Sequence, residues 1–183
     1  MSRIGAAIFV ALSLAYPLVV YWAMGRFEPR WLALLLLALA VLRAVATRQA
    51  VWLVAAAGAA LLATLATVFN EALPLKLYPA LINAVMLGVF ATSLVFPPSA
   101  VERIARLTEP DLPPAGVAYT RRVTQVWCGF FVFNGALALV TALWMSDRAW
   151  ALYNGLIAYG LIGLLFGVEW LVRQRVRAGH RHG

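Results

Sequence analysis

Three asparagines, a lysine, a glutamate and several tyrosines stand out in this chain because they fall within or beside long apolar stretches. A polar group inside lipid is costly unless paired, so each of these positions is a candidate for function. Lys76 precedes Asn83 by seven residues, which puts both on roughly one face of a helix. Together with Tyr78, Tyr153 and Asn154 they could line an outward-facing polar pocket for an anionic headgroup, with Asn134 near mid-membrane. The alternative is that each asparagine joins neighbouring helices, a role commonly worth about 1 kcal/mol or less. Glu169 lies near the end of the last apolar stretch, and Arg173 follows at the i+4 spacing that favours an acid-before-base pair. It is read either as a structural anchor or as a proton-coupling or headgroup-binding group.

A second constellation is basic. Tyr119, Arg121, Arg122, Gln125 and Trp127 gather ahead of one apolar stretch, and Arg103 and Arg106 precede them. Guanidinium groups match phosphate oxygens in geometry, so this set could grip a phosphate, or simply anchor helix ends to anionic lipid. Arg173 extends the same basic surface.

Other chemistries find little support. The two histidines, His180 and His182, lie in the last four residues, outside every apolar stretch. A single cysteine, Cys128, excludes an intrachain disulfide and has no nearby base to activate it as a nucleophile. Ser13 and Ser93 stand alone, and the glycines from Gly160 to Gly167 lie in an apolar helix rather than after a strand. No metal, cofactor or catalytic residue is therefore expected. The net charge of +8 sits beside apolar stretches, where it orients helices, so nucleic acid is not an expected partner.

The elements that must position these groups are transmembrane helices. Of 183 residues, 64% are hydrophobic and 12% charged, outside the range of ordinary soluble domains. A hydrocarbon layer of roughly 30 Å takes about 20 helical residues to cross. Six stretches approach or reach that length, at about 4–24, 31–46, 51–69, 77–96, 123–145 and 150–172. The first is expected to be retained rather than cleaved, and a basic tail, 173–183, follows the single transmembrane domain, 1–172. Gly58 in the third stretch, and Gly160, Gly163 and Gly167 in the sixth, are expected to let helices approach closely.

The connection 97–122 is expected to remain cytoplasmic. Ser99-Ala100-Val101-Glu102 fits a capping box that opens a short interfacial helix, with Val101, Ile104 and Ala105 on one face. The prolines from Pro110 to Pro114 are expected to break it. With six spans, eleven basic residues fall on one side and four on the other. The positive-inside rule then places both termini in the cytoplasm. The expected fold class is an all-α integral membrane bundle of about six helices plus the interfacial helix.

Several segments resemble a known group of proteins. They include Tyr16-Pro17-Leu18-Val19-Val20, Lys76-Leu77-Tyr78-Pro79, Pro97-Pro98 with Glu102-Arg103, and Tyr119-Thr120-Arg121-Arg122. Trp127-Cys128-Gly129-Phe130-Phe131 with Asn134, Trp150-Ala151-Leu152-Tyr153-Asn154-Gly155 and Gly167-Val168-Glu169-Trp170 add to the likeness. The chain resembles a family of small bacterial inner-membrane proteins often encoded beside genes for acyl or aryl-polyene lipid synthesis. More distantly it is similar to the intracellular septation protein A family. The resemblance implies a multi-pass protein of the bacterial inner membrane with a role in envelope maintenance or lipid-linked biosynthesis, and supplies no catalytic residue.

The function expected is that of a non-catalytic accessory protein, acting through membrane lipids and other envelope or lipid-synthesis proteins. A small transporter or flippase for a lipid or acidic precursor is the alternative. A membrane-embedded acyl-transfer enzyme is a third reading, which would need a base and a nucleophile in contact.

Overall fold

The computed structural model describes residues 50–69 and 72–179 and scattered positions between 19 and 45. The spans expected at about 4–24 and 31–46 thus lie largely outside the described residues, as do Arg3, Arg43, Arg48 and the histidines of the tail. Every regular element among the described residues is helical. They are α1 (Ala50–Phe69), α2 (Leu73–Lys76), α3 (Tyr78–Val95), α4 (Ala100–Ala105), α5 (Pro114–Trp144), α6 (Asp147–Leu152), a π-turn (Tyr153–Ile157) and α7 (Ala158–Gly179).

Three of these helical runs are long and apolar enough to cross a membrane: Tyr78–Val95, Pro114–Trp144 and Asp147–Gln174. The last combines α6, the π-turn and α7 into one path. The expected third span is helical as α1, 20 residues that are apolar throughout apart from Thr64 and Thr67. Large apolar side chains face outward along α1, α5 and α7, Leu61, Val132, Phe133, Leu164 and Phe166 among them. Outward apolar residues with small ones inside suit a protein whose solvent is hydrocarbon.

The most extensive helix contact is between α3 and α5. At its centre Gly135 meets Asn83, where an added Cβ would stand 3.0 Å from the Asn83 Cβ. Phe90 of α3 packs edge-on against Phe131 of α5 at 5.1 Å between ring centroids, and Trp127 stacks toward Phe166 of α7 at 4.7 Å. On the other flank α1 presents Ala59, Ala63 and Ala66, all buried, and Gly58 touches Leu81 so closely that a Cβ there would come within 2.8 Å of the leucine. Close approach at Gly58 is what the sequence anticipates.

The expected seam at Gly160, Gly163 and Gly167 is different. Nothing lies within 4 Å of a Cβ placed at any of the three, so this face of α7 is open among the described residues. Small residues permit close packing, but a helix must be present to use the permission.

The expected connection 97–122 is shorter. Helix resumes at Pro114, so Tyr119, Arg121 and Arg122 belong to α5 rather than to a loop. Pro113 and Pro114 were expected to end a helix. Here Pro113 is the extended N-cap and Pro114 occupies the first turn, where a missing N–H costs nothing.

Candidate functional site

Two polar regions lie at opposite ends of the α3–α5–α7 assembly, with a hydrogen-bonded chain of amides between them. At one end Lys76 Nζ donates to Asp147 Oδ1 at 2.9 Å, linking α2 to α6. The lysine side chain is 11% exposed and the aspartate 55%, so the pair has one foot in protein and one in the surroundings. Beneath it, fully buried Trp150 donates its indole N–H to the Lys76 carbonyl at 3.0 Å. Tyr78 packs nearby against Ala63, Ala66 and Leu75.

Deeper in, the expected amides converge. Asn83 Nδ2 donates to the Pro79 carbonyl one turn back, and Asn83 Oδ1 accepts from Asn134 Nδ2 at 3.0 Å. Asn134 Oδ1 in turn accepts the Tyr153 hydroxyl at 2.8 Å. This connected chain ties α3, α5 and the π-turn. Asn154 sits beside it, donating to Thr141 Oγ1 at 3.2 Å and to the Trp150 carbonyl at 2.9 Å. Tyr153 and Asn154 are adjacent yet both buried toward α5, and they open the π-turn, whose extra residue widens the helix there.

Of the seven intramembrane residues singled out by sequence, Asn83, Asn134 and Tyr153 therefore form one network. Lys76, Tyr78 and Asn154 take separate partners close by. Asp147, Thr141 and Trp150 complete these contacts without having been expected to. Trp150 lies one turn before Asn154, a local signal, whereas Thr141 is thirteen residues from Asn154 and meets it only through the fold.

Glu169 belongs to the opposite end. It forms no ion pair with Arg173 among the described residues. Its carboxylate and backbone carbonyl instead accept the Tyr119 hydroxyl from α5, each at 3.4 Å. Spacing alone favoured the local arginine, but the carboxylate meets a tyrosine from another helix.

The basic constellation at that end resolves into distinct duties. Arg106 donates twice to Glu102 Oε1, at 2.9 and 2.8 Å, and once to the Pro110 carbonyl at 2.8 Å. Arg103 Nε donates to the Pro98 carbonyl at 2.9 Å and Arg103 Nη2 to the Phe96 carbonyl at 3.4 Å. Arg121 Nη1 donates to the Leu94 carbonyl at 2.9 Å. Arg103 and Arg121 thus meet the free carbonyls at the end of α3, where a helix carries partial negative charge. Arg122 is exposed on another face of α5.

α4 is held by its neighbours. Ser93 Oγ accepts the Ala100 N–H at 2.8 Å and Thr124 Oγ1 accepts the Val101 N–H at 3.3 Å, so α3 and α5 both cap its first turn. In the expected capping box the Ser99 N–H donates to Glu102 Oε2 at 3.4 Å. The Ser99 hydroxyl faces the Glu102 amide but stops short of a formed hydrogen bond, and its buried oxygen has no other partner. Ser93, which seemed isolated in the sequence, is a cap. The buried face of α4 is Ala100, Glu102 and Ala105, and Ile104 is 62% exposed instead of sharing the face of Ala105.

Among the described residues no group of three or more histidine, cysteine or acidic side chains is placed to hold a metal ion. Compared with family models, with curated proteins and with solved structures, the chain matches none.

Proposed function

We propose that this chain is a membrane-embedded accessory protein of the bacterial inner membrane, serving envelope maintenance or lipid-linked biosynthesis without catalysing a reaction itself. Its working surfaces are the arginine-rich end and the outward helix faces, which engage anionic lipids and partner proteins. The observation that carries this reading is the Asn83–Asn134–Tyr153 chain. Each of these side chains meets another from a different element, as groups do when they hold helices together rather than wait for a ligand. The basic side chains at the arginine-rich end support a setting beside anionic lipid. In this reading about six helices cross the membrane and both termini face the cytoplasm, as the distribution of basic residues favours.

The test compares the wild type with Asn134→Leu, both purified in mild detergent with their co-purifying lipids and proteins. The variant is expected to unfold more readily while its folded fraction keeps the same companions. Companions lost at unchanged stability would place Asn134 in a ligand path and favour a small transporter or flippase.

A further inference from the structure

We infer that Arg103 and Arg121 form a clamp for the phosphate of an anionic phospholipid, seated where α3 ends at the membrane surface. This rests on the reading that the basic end meets lipid, and it names which arginines do so and what they hold.

The arrangement begins with the end of a membrane-crossing helix. α3 stops at Val95, leaving its last carbonyls without partners inside the helix. Arg121 reaches Leu94 and Arg103 reaches Phe96 and Pro98. Leu94 and Phe96 are two residues apart, so at most about 7 Å of chain separates the two anchoring points. Arg121 is thereby anchored at Leu94 and Arg103 between Phe96 and Pro98, so both guanidinium groups are held at the end of α3, although one comes from the short α4 and the other from α5. Each carries more N–H donors than these contacts use, and those left over are available to a tetrahedral anion.

Charge points the same way. A helix end supplies about half of a negative charge, against two full positive ones, so the locus remains cationic. Arg106 is excluded because Glu102 neutralises it and Pro110 takes a further donor. Arg122 lacks the carbonyl anchor and turns to another face.

The surroundings suit a lipid better than a soluble anion. Val95 and Phe96 are 70% and 69% exposed immediately beside the anchoring carbonyls, and Ile104 and Leu107 of the following turn are 62% and 83% exposed. Apolar side chains at the rim of a spanning helix lie level with acyl chains while the arginines lie at the phosphate. A free phosphate would gain nothing from that apolar border.

The test uses the full chain in nanodiscs of mixed phosphatidylglycerol and phosphatidylcholine, with retained lipid counted by native mass spectrometry after transfer to detergent. Wild type is expected to retain phosphatidylglycerol selectively, and Arg103→Gln/Arg121→Gln to lower that selectivity about thirtyfold, in keeping with the summed attraction of two basic residues to an anionic surface. Arg122→Gln is expected to retain it, and millimolar inorganic phosphate to leave it unchanged. Selectivity that survives in the folded double variant overturns the clamp while leaving lipid contact elsewhere intact. No selectivity in wild type overturns both, and displacement by inorganic phosphate assigns the site to a soluble anion instead. If the double glutamine variant does not fold, Arg103→Lys/Arg121→Lys keeps the charge but loses the fork. Selectivity there is expected to fall severalfold, and an unchanged value rules out the clamp.

Discussion

Gly135 lies against Asn83 so tightly that a methyl group at position 135 would press on the Asn83 Cβ at 3.0 Å. This contact sets the separation of α3 and α5 at the level where Asn83 accepts from Asn134. Gly135→Ala is expected to push the helices apart and cost about 1 kcal/mol, in the lower range for overpacking. Gly163→Ala, with nothing within 4 Å, is expected to stay within about 0.5 kcal/mol of wild type. Unfolding in mild detergent compares the two directly, and equal losses would remove Gly135 from its spacing role.

The caps of α4 give a second expectation. Ser93→Ala deprives the Ala100 N–H of its acceptor and Thr124→Val does the same for Val101, both at buried positions. Each is expected to cost about 1 kcal/mol, as lost helix caps do. Local hydrogen exchange at residues 100–105 should rise in both variants, and unchanged protection would show that α4 is held by other means.

The ion pair between α2 and α6 has an asymmetry that can be measured. Asp147→Asn leaves the Lys76 ammonium, 11% exposed, without its partner, whereas Lys76→Met leaves a carboxylate that is 55% exposed. The first is expected to cost about 1–2 kcal/mol, between the values for surface and buried pairs, and the second under about 1 kcal/mol. Thermal unfolding of the two variants checks the order. A larger loss for Lys76→Met would contradict this order and show that the exposed carboxylate depends on the pair more than the buried ammonium does.

Much of the helical architecture was legible because hydrocarbon demands long apolar helices, and the runs at 77–96, 123–145 and 150–172 stand out by length alone. Polar residues in those runs were legible as groups needing partners, and Asn83, Asn134 and Tyr153 do meet. Their particular partners were not legible, because those depend on how helices cross. Glu169 shows the limit: its spacing to Arg173 is local and visible, but Tyr119 comes from fifty positions away. Pro114 shows another, since a proline reads equally as a helix breaker and as a first-turn residue. Gly58 and Gly160 differ in the same way. Both allow close approach, yet only Gly58 has a helix against it among the described residues. The widened turn at Tyr153–Ile157 had no sequence signal at all.

The central claim is that the buried amide chain joins helices, and a double-mutant cycle of Asn134→Leu with Tyr153→Phe tests it most directly. Both substitutions break the 2.8 Å contact between the Tyr153 hydroxyl and Asn134 Oδ1, so their effects on unfolding in detergent should fall short of additive. The expected coupling is about 1 kcal/mol, the scale of interhelical hydrogen bonds in membranes. Effects that add to within about 0.3 kcal/mol would mean that the two residues act independently and would contradict a structural role for the chain.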